Sequence, residues 1–460
     1  MATAIIMTKN RTTQQWQELD AQRHLHPFTD FNQYASKPGR IINRAEHIYI
    51  YDTDDNQILD GMSGLWCCSL GYSQPVIAEA VSRQFEQLPY YNNFFQCSNA
   101  PAVELAERLV DMAPERFTHV FFTNSGSEAN DTNIRLVRRY WDLQDKPNKR
   151  IIISRQNAYH GSTIASASLG GFGFVHQQFE TLPYVEHIVD PNWFVNGGDL
   201  SPEEFGLQAA RALEEKIDEI GEDNIAAFIA EPIQGAGGVI VPPDSYWPEV
   251  SRILKARDIL FISDEVICGF GRTGALFGSQ TLGTEPDLIT FAKAVTNGFQ
   301  PLGGVLVSDK VASVITAKGG EFAHGFTYSG HPIACAAAMA TLDIMQSENI
   351  FDRVRDHAAP YMQKRWAELG QHPIVGHTRG LGMFGSMELV RNKATRERLA
   401  PDQVSGGICR DIALENGLVM RAVGDSMIIS PPLICTHGEI DMLIERATQA
   451  LDKTAEAFSL

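Results

Sequence analysis

Three short stretches of the chain carry side chains able to do chemistry. In Ile259-Leu260-Phe261-Ile262-Ser263-Asp264-Glu265-Val266 an apolar run ends abruptly in carboxylates. That pattern predicts a buried parallel strand delivering an acid at its carboxyl end, where α/β sheets place their ligands. In Leu288-Ile289-Thr290-Phe291-Ala292-Lys293-Ala294-Val295 one lysine stands in an apolar neighbourhood. Burial disfavours its ammonium form, and a neutral amine can condense with an aldehyde to a Schiff base. Phe121-Phe122-Thr123-Asn124-Ser125-Gly126-Ser127-Glu128-Ala129-Asn130 reads as a strand, a tight turn and a helix start. Orphan N–H groups at such a start, with the Ser125 and Ser127 hydroxyls, make an anion site suited to phosphate. Taken singly, each has a plainer reading: Asp264 as a strand-end cap, Lys293 as a snorkelling surface residue, Ser125 as an ordinary helix cap.

The elements that must position these groups follow from the pattern around them. At 460 residues the chain exceeds one small core, and a length prior suggests two to three domains. Strand-like runs at His119–Thr123, Arg150–Ser154, Ala226–Ala230, Ile259–Ser263 and Gly304–Ser308 alternate with helical patterns, which predicts a parallel α/β domain over 75–330. Ser201-Pro202-Glu203-Glu204 opens one helix with a capping serine and proline, and Gly221 stops it. After residue 331 the pattern changes to a long Ala-rich helix (Pro332 to Met345), strands at Leu381–Leu389, Leu418–Arg421 and Met427–Ser430, and a last helix capped by Thr436 and Glu439. This predicts a smaller α+β domain over 331–460, with residues 1–74 packing onto it. The formal net charge of −18 opposes binding to nucleic acid or an anionic membrane. Seven scattered cysteines without a C-x-x-C pair argue against a disulfide framework and a structural zinc site, so no metal is expected. No stretch approaches a membrane span, and Ala4-Ile5-Ile6-Met7 is too short for a signal sequence, which makes the cytoplasm the expected location.

A Schiff-base lysine and a buried acid are together what pyridoxal phosphate (PLP) chemistry requires. The surrounding motifs carry a resemblance: Thr123 to Asn130, Tyr159-His160-Gly161, Glu231-Pro232-Ile233-Gln234-Gly235, Ser263 to Val266 with Gly269-Phe270-Gly271-Arg272-Thr273-Gly274, Lys293, and Gly325-Phe326-Thr327-Tyr328-Ser329-Gly330-His331-Pro332. In this order they resemble the class III aminotransferases, PLP enzymes of fold type I. Within that class, Gly64-Leu65-Trp66-Cys67, Tyr90 to Phe95 and His26-Pro27-Phe28-Thr29-Asp30 are similar to ω-transaminases that pair amines with pyruvate.

The resemblance implies a role for each residue. Lys293 would hold PLP and carry the proton between substrate carbon and cofactor. Asp264 would keep the pyridine nitrogen protonated, and Tyr159 and Val266 would cover the two ring faces. Ser125, Gly126 and Ser127 would take the phosphate, and His160 and Glu231 would lie around the cofactor. Thr327 would reach the phosphate of a neighbouring subunit, which implies a homodimer or a dimer of dimers. Arg421 would pair with a substrate carboxylate through its planar fork, beside an apolar wall of Trp66, Phe94 and Tyr159. Glutamate-using relatives commonly carry arginine after the aromatic-His-Gly step, where this chain has Ser162. A second carboxylate would then lack a partner, which favours pyruvate over dicarboxylic acceptors. The expected activity is transfer of an amino group from a primary amine or ω-amino compound to pyruvate. An aminomutase or decarboxylase, a 2-oxoglutarate-linked aminotransferase, and a non-catalytic ligand sensor are the competing readings.

Overall fold

The computed structural model describes residues 11–400 and 405–460, so Ala4 to Met7 lie outside the described residues. A seven-stranded sheet forms its centre. The chain first makes three short strands, β1 (Ile42–Glu46), β2 (Tyr49–Asp52) and β3 (Gln57–Leu59). The central sheet then comprises β4 (Phe117–Thr123), β5 (Ile151–Arg155), β6 (Val185–Ile188), β7 (Ile225–Ala230), β8 (Leu260–Asp264), β9 (Leu288–Phe291) and β10 (Gly303–Ser308). Their spatial order is β4-β10-β9-β8-β7-β5-β6. Neighbouring pairs run parallel from β9 to β6, and β10 runs antiparallel to both β9 and β4. The architecture is thus α/β with a mainly parallel sheet, and one reversed strand that composition does not betray.

Side chains on successive residues point to opposite faces of a strand, and both faces here are covered. Ala227, Ile229, Leu260 and Ile262 pack with Ile134 and Val137 of helix Gly126–Leu143. Phe228, Ala230 and Phe261 pack with Leu213 and Ile217 of helix Pro202–Ile220 and with Val250 of helix Tyr246–Lys255. Burial on both faces explains why these strands are continuous apolar runs. Helix Pro202–Ile220 carries the expected capping box between Ser201 and Glu204, and Gly221 ends it at φ 89°. Two strands of the central sheet escaped the sequence pattern, as did β1, β2 and β3 before it. β6 and β9 are four residues each, and β9 is followed so closely by Lys293 that its run did not stand out.

The C-terminal region builds an antiparallel sheet from β11 (Val375–Leu381), β12 (Phe384–Asn392), β13 (Glu397–Arg398), β14 (Arg421–Val423) and β15 (Ser426–Ile429). The single strand expected over Leu381–Leu389 is instead the end of β11, a turn with Gly382 at φ 61°, and most of β12. Arg421 opens β14 rather than closing a strand. The preceding residues pair elsewhere: Leu59 N–H donates to Gly417 O (2.8 Å) and Val419 N–H donates to Leu59 O (2.9 Å). Those two bonds lay residues 57–70 alongside 417–433. Ser430 N–H to Gly61 O (2.7 Å) and Leu433 N–H to Ser69 O (2.7 Å) extend the seam. Helices Pro332–Ser347 and His437–Ala457 form where the pattern placed them, the latter with its Thr436–Glu439 capping box.

Candidate active site

A cavity of about 760 Å³ opens at the carboxyl ends of the parallel strands, lined in part by Trp66, Ser125, Gly126, Ser127, Tyr159, His160, Glu231, Asp264, Val266, Lys293 and Arg421. Asp264 ends β8 and is 3% exposed. Its Oδ2 accepts from Asn130 Nδ2 (2.8 Å) and faces His160 Nδ1 (2.7 Å), while Oδ1 accepts from Val266 N–H (3.2 Å). Asn130 is itself held by Thr290 Oγ1 (2.8 Å) and Asn133 Nδ2 (3.1 Å). A carboxylate so supplied with donors keeps its orientation in a buried place. Glu231 lies deeper, accepting from Tyr159 N–H (3.1 Å) and Gly235 N–H (2.9 Å), and burial pushes its pKa up.

Lys293 follows β9 with φ 51°, a left-handed backbone that a lysine rarely adopts. The turn after it is pinned by Asn297, whose side chain accepts from Leu70 N–H (2.8 Å) and donates to Gly71 O (2.8 Å). The Lys293 side chain is accessible only in part, at the cavity it lines. Burial drives its pKa down and favours the neutral, nucleophilic amine. Its Nζ stands 5.5 Å from the Trp66 ring, and the Arg421 Cζ stands 5.2 Å from that same ring.

Trp66 reaches this position through an unusual turn. Ser63, Gly64, Leu65 and Trp66 have φ of 49°, 55°, 71° and 64°. Each non-glycine residue there costs about 1–2 kcal/mol. Asp60 offsets this by accepting from Met62 N–H (2.9 Å), Gly64 N–H (2.5 Å) and Tyr72 OH (2.6 Å). Buried Arg272 adds bonds to Ser63 Oγ (3.3 Å) and Ser69 Oγ (3.3 Å). Bonds to charged groups contribute about 1.5–3 kcal/mol each, enough to hold the turn.

At the other end of the cavity, Ser125 caps helix Gly126–Leu143 by accepting from Glu128 N–H (3.2 Å). That leaves Gly126 and Ser127 N–H beyond the reach of any helical carbonyl, at the cavity wall. A Cβ on Gly126 would come within 2.8 Å of Val266 Cγ2, so glycine is required for this close approach. Ser127 Oγ accepts from Ser162 N–H (3.0 Å), and the Tyr159 hydroxyl lies 3.0 Å from Ser162 Oγ. The phosphate-competent helix start, the acid at a strand end and a lysine whose pKa burial lowers therefore share one cavity, as PLP requires. The residues fit the group.

Comparison with known proteins agrees with this geometry. The family model for Aminotransferase class-III matches residues 32–451. The chain belongs to the class III aminotransferases. It is 54% identical over 449 residues to the putrescine–pyruvate aminotransferase of Pseudomonas aeruginosa, covering 97% of this chain and 98% of that one. An (S)-enantioselective ω-transaminase from Thermomicrobium roseum superposes with a TM-score of 0.93 at 38% identity, covering 97% of this chain and all of that one (100%). The ω-transaminase of Pseudomonas jessenii in complex with PMP does so with a TM-score of 0.92 at 39% identity, covering 96% of this chain and 99% of that one. Class III aminotransferases are PLP enzymes, and PLP is the cofactor of this fold.

Two expected residues stand apart from the cavity. Phe94 lines a second hollow with Phe95, Phe121 and His324, and Thr327 is exposed, its carbonyl accepting from Tyr90 OH (2.8 Å). Other residues of the main cavity had no assigned role in the sequence reading: Asn130 behind Asp264, and Phe28, Cys67, Ala236 and Gln300 along the wall. Asn130 had a signal, since it and Asn133 are polar at helical spacing among Ala129, Ile134 and Val137. Gln300 and Ala236 had none.

Proposed function

We propose that this aminotransferase moves the amino group of a primary amine or ω-amino compound to pyruvate. A diamine such as putrescine, an ω-amino acid or an arylalkylamine would be the donor, giving an aldehyde or ketone and L-alanine. The observation that carries this reading is Arg421. Among the described residues its guanidinium pairs with no carboxylate; its one hydrogen bond is a long contact from Nη2 to Ala236 O (3.5 Å). Burial pulls its pKa down, as expected for a charge short of partners. A desolvated fork with open donors is a receptor for one carboxylate. Ser162, where a second arginine would stand, offers a dicarboxylic acceptor a hydroxyl in place of a second guanidinium. Trp66, Phe28, Leu65 and Phe172 leave the remaining wall apolar, which suits an uncharged amine body.

Bound in this cavity, PLP supplies the carbonyl that carries the amino group and the ring that takes up the electrons of the substrate carbon. Lys293 Nζ, whose pKa burial lowers, would accept the proton from that carbon and return it on the other side of the exchange. Asp264, oriented by Asn130 and His160, would hold a proton at the ring nitrogen. The Gly126 and Ser127 N–H groups and the Ser127 hydroxyl would bind the phosphate, and Tyr159 and Val266 would flank the ring. Glu231 fixes the backbone of Tyr159. The Trp66 ring lies beside both the lysine and the arginine, 5.5 Å from Lys293 Nζ and 5.2 Å from Arg421 Cζ.

The same reading makes the functional unit a homodimer. It is supported by Thr327 and Phe94 lying outside their own cavity, and by exposed Tyr90, Tyr91, Phe95 and Tyr328 beside them. The division into 1–74, 75–330 and 331–460 is part of this reading, supported by the pairing of Leu59 with residues 417–419. Cytoplasmic residence is supported by seven free cysteines; among the described residues no helix is long and apolar enough to cross a membrane. The test is an amine panel with pyruvate, scored as kcat/KM. One alanine released per amine consumed is expected for the preferred donors. Amine consumption without alanine would transfer the assignment to a decarboxylase or aminomutase.

A further inference from the structure

We propose that Asp20, His24 and His26 bind a divalent transition-metal ion of the zinc class, and that the ion fastens the Pro27–Phe28 lip of the active-site cavity. His24 Nδ1 stands 3.2 Å from Asp20 Oδ1, and His26 Nε2 stands 2.8 Å from Asp20 Oδ2. One ligand atom from each of the three residues lies within 4.8 Å of the others. Nitrogen and oxygen ligands about 2.0–2.2 Å from a common ion stand about 3 Å apart, so small side-chain shifts admit one. Two imidazoles and one carboxylate are the donor set that zinc, nickel, copper and ferrous iron accept, with remaining positions left to water. Each imidazole offers its lone pair by carrying its proton on the other ring nitrogen. The Tyr34 hydroxyl donates to Asp20 Oδ2, the oxygen that faces His26, and would orient the carboxylate as an outer partner. Side-chain exposures of 62% for His24, 24% for His26 and 16% for Asp20 give the ion a path from solvent.

The placement gives such an ion a mechanical role. Asp20 belongs to helix Thr13–Arg23, which buries none of its residues and is tied to the body by a few polar contacts. Gln17 Nε2 donates to Gly39 O (3.0 Å), and the Thr13 and Thr53 hydroxyls lie 2.8 Å apart. His26 directly precedes Pro27 and Phe28, which line the cavity. Phe28 holds a left-handed φ of 50° while 69% exposed, and its ring lies 6.4 Å from that of Tyr159. A segment with so little packing opens easily. A chelate linking Asp20 to His26 would stitch it to the helix.

Untagged holoenzyme, stripped with chelator, would be titrated with Zn²⁺ by calorimetry, and hydrogen exchange over residues 24–31 followed with and without the ion. One ion per chain is expected. His24→Ala, at an exposed side chain that folding does not need, and His26→Ala should each weaken binding at least about tenfold. Zn²⁺ should slow exchange over 24–31 in the parent and leave it unchanged in both variants. Absence of stoichiometric binding, or binding that survives both substitutions as it would at the exposed Cys97, overturns the site. Binding without slowed exchange overturns its role at the lip.

Discussion

The two ends of the cavity are built on opposite plans. Around Asp264 both carboxylate oxygens meet neighbours, and Asn130, Asn133, Thr290 and His160 form one continuous network behind it in which, among the described residues, Asn133 Oδ1 and His160 Nε2 alone stay without a partner. Around Arg421 the charge faces one carbonyl at 3.5 Å and the face of Trp66. A densely bonded network holds its carboxylate in one geometry, whereas an undersatisfied charge is held ready for a partner that arrives. The cofactor end is therefore rigid and the same in both halves of the reaction. On the proposed function, the substrate end would accept a carboxylate in one half and an apolar amine in the other.

Substitutions at the two ends should separate accordingly. Lys293→Ala should have the largest effect, lowering transamination about 10⁴-fold and ending borohydride fixation of the cofactor to the chain, read by mass spectrometry. A variant that still traps the cofactor would remove Lys293 from its role. Asp264→Asn should cost about 10³-fold in both half-reactions alike, since the ring nitrogen serves both. Single-turnover rates with amine and with pyruvate should fall together. Arg421→Ala, in contrast, should cost the pyruvate half-reaction about 30- to 1000-fold and leave the reaction with an uncharged amine within a few-fold. Equal losses in both halves would make Arg421 structural, and Arg421→Lys should restore only part of the rate. Asn130→Ala should cost about 10-fold, again equally in both halves, because it acts through Asp264. A loss confined to pyruvate would detach Asn130 from the rigid end.

The smallest effect concerns the cofactor-free protein. Lys293 has a folded pKa below its ordinary 10.5. Between the two values the unfolded chain binds the extra proton, so stability must rise with pH across that window and be lowest beneath it. Lys293→Met should flatten the rise, by up to about 1.4 kcal/mol per pH unit within the window. Denaturant unfolding of parent and variant at matched pH values measures the difference.

The rigid end was the legible one. Asp264 closes an apolar run, Lys293 sits among apolar residues, and Gly126 lies between two serines, so strand periodicity and helix-start chemistry marked them all. What surrounds Arg421 was not legible, because it is made by pairing across more than 350 residues of chain: Leu59 with Gly417 and Val419 sets Trp66 beside the guanidinium. Local patterns carry no register for such contacts. The left-handed turn at Ser63 to Trp66 was hidden for the same reason, since only Gly64 advertises it. Strand β9 escaped through brevity, and the hairpin at Gly382 through apolar residues on both sides of its turn. Phe94 and Thr327 were placed at the site by family pattern alone, and this single chain leaves them outside its own cavity.

On the proposed function, the open end accepts one carboxylate and no second. This selectivity is tested most directly by loading the enzyme with amino groups from an uncharged amine, removing excess amine, and mixing with pyruvate or with 2-oxoglutarate in a stopped-flow instrument. The account predicts faster return of the cofactor signal with pyruvate, by at least about tenfold in the apparent second-order constant, because a buried second carboxylate without a partner costs more than 1.4 kcal/mol. Equal rates, or a faster reaction with 2-oxoglutarate, would contradict it.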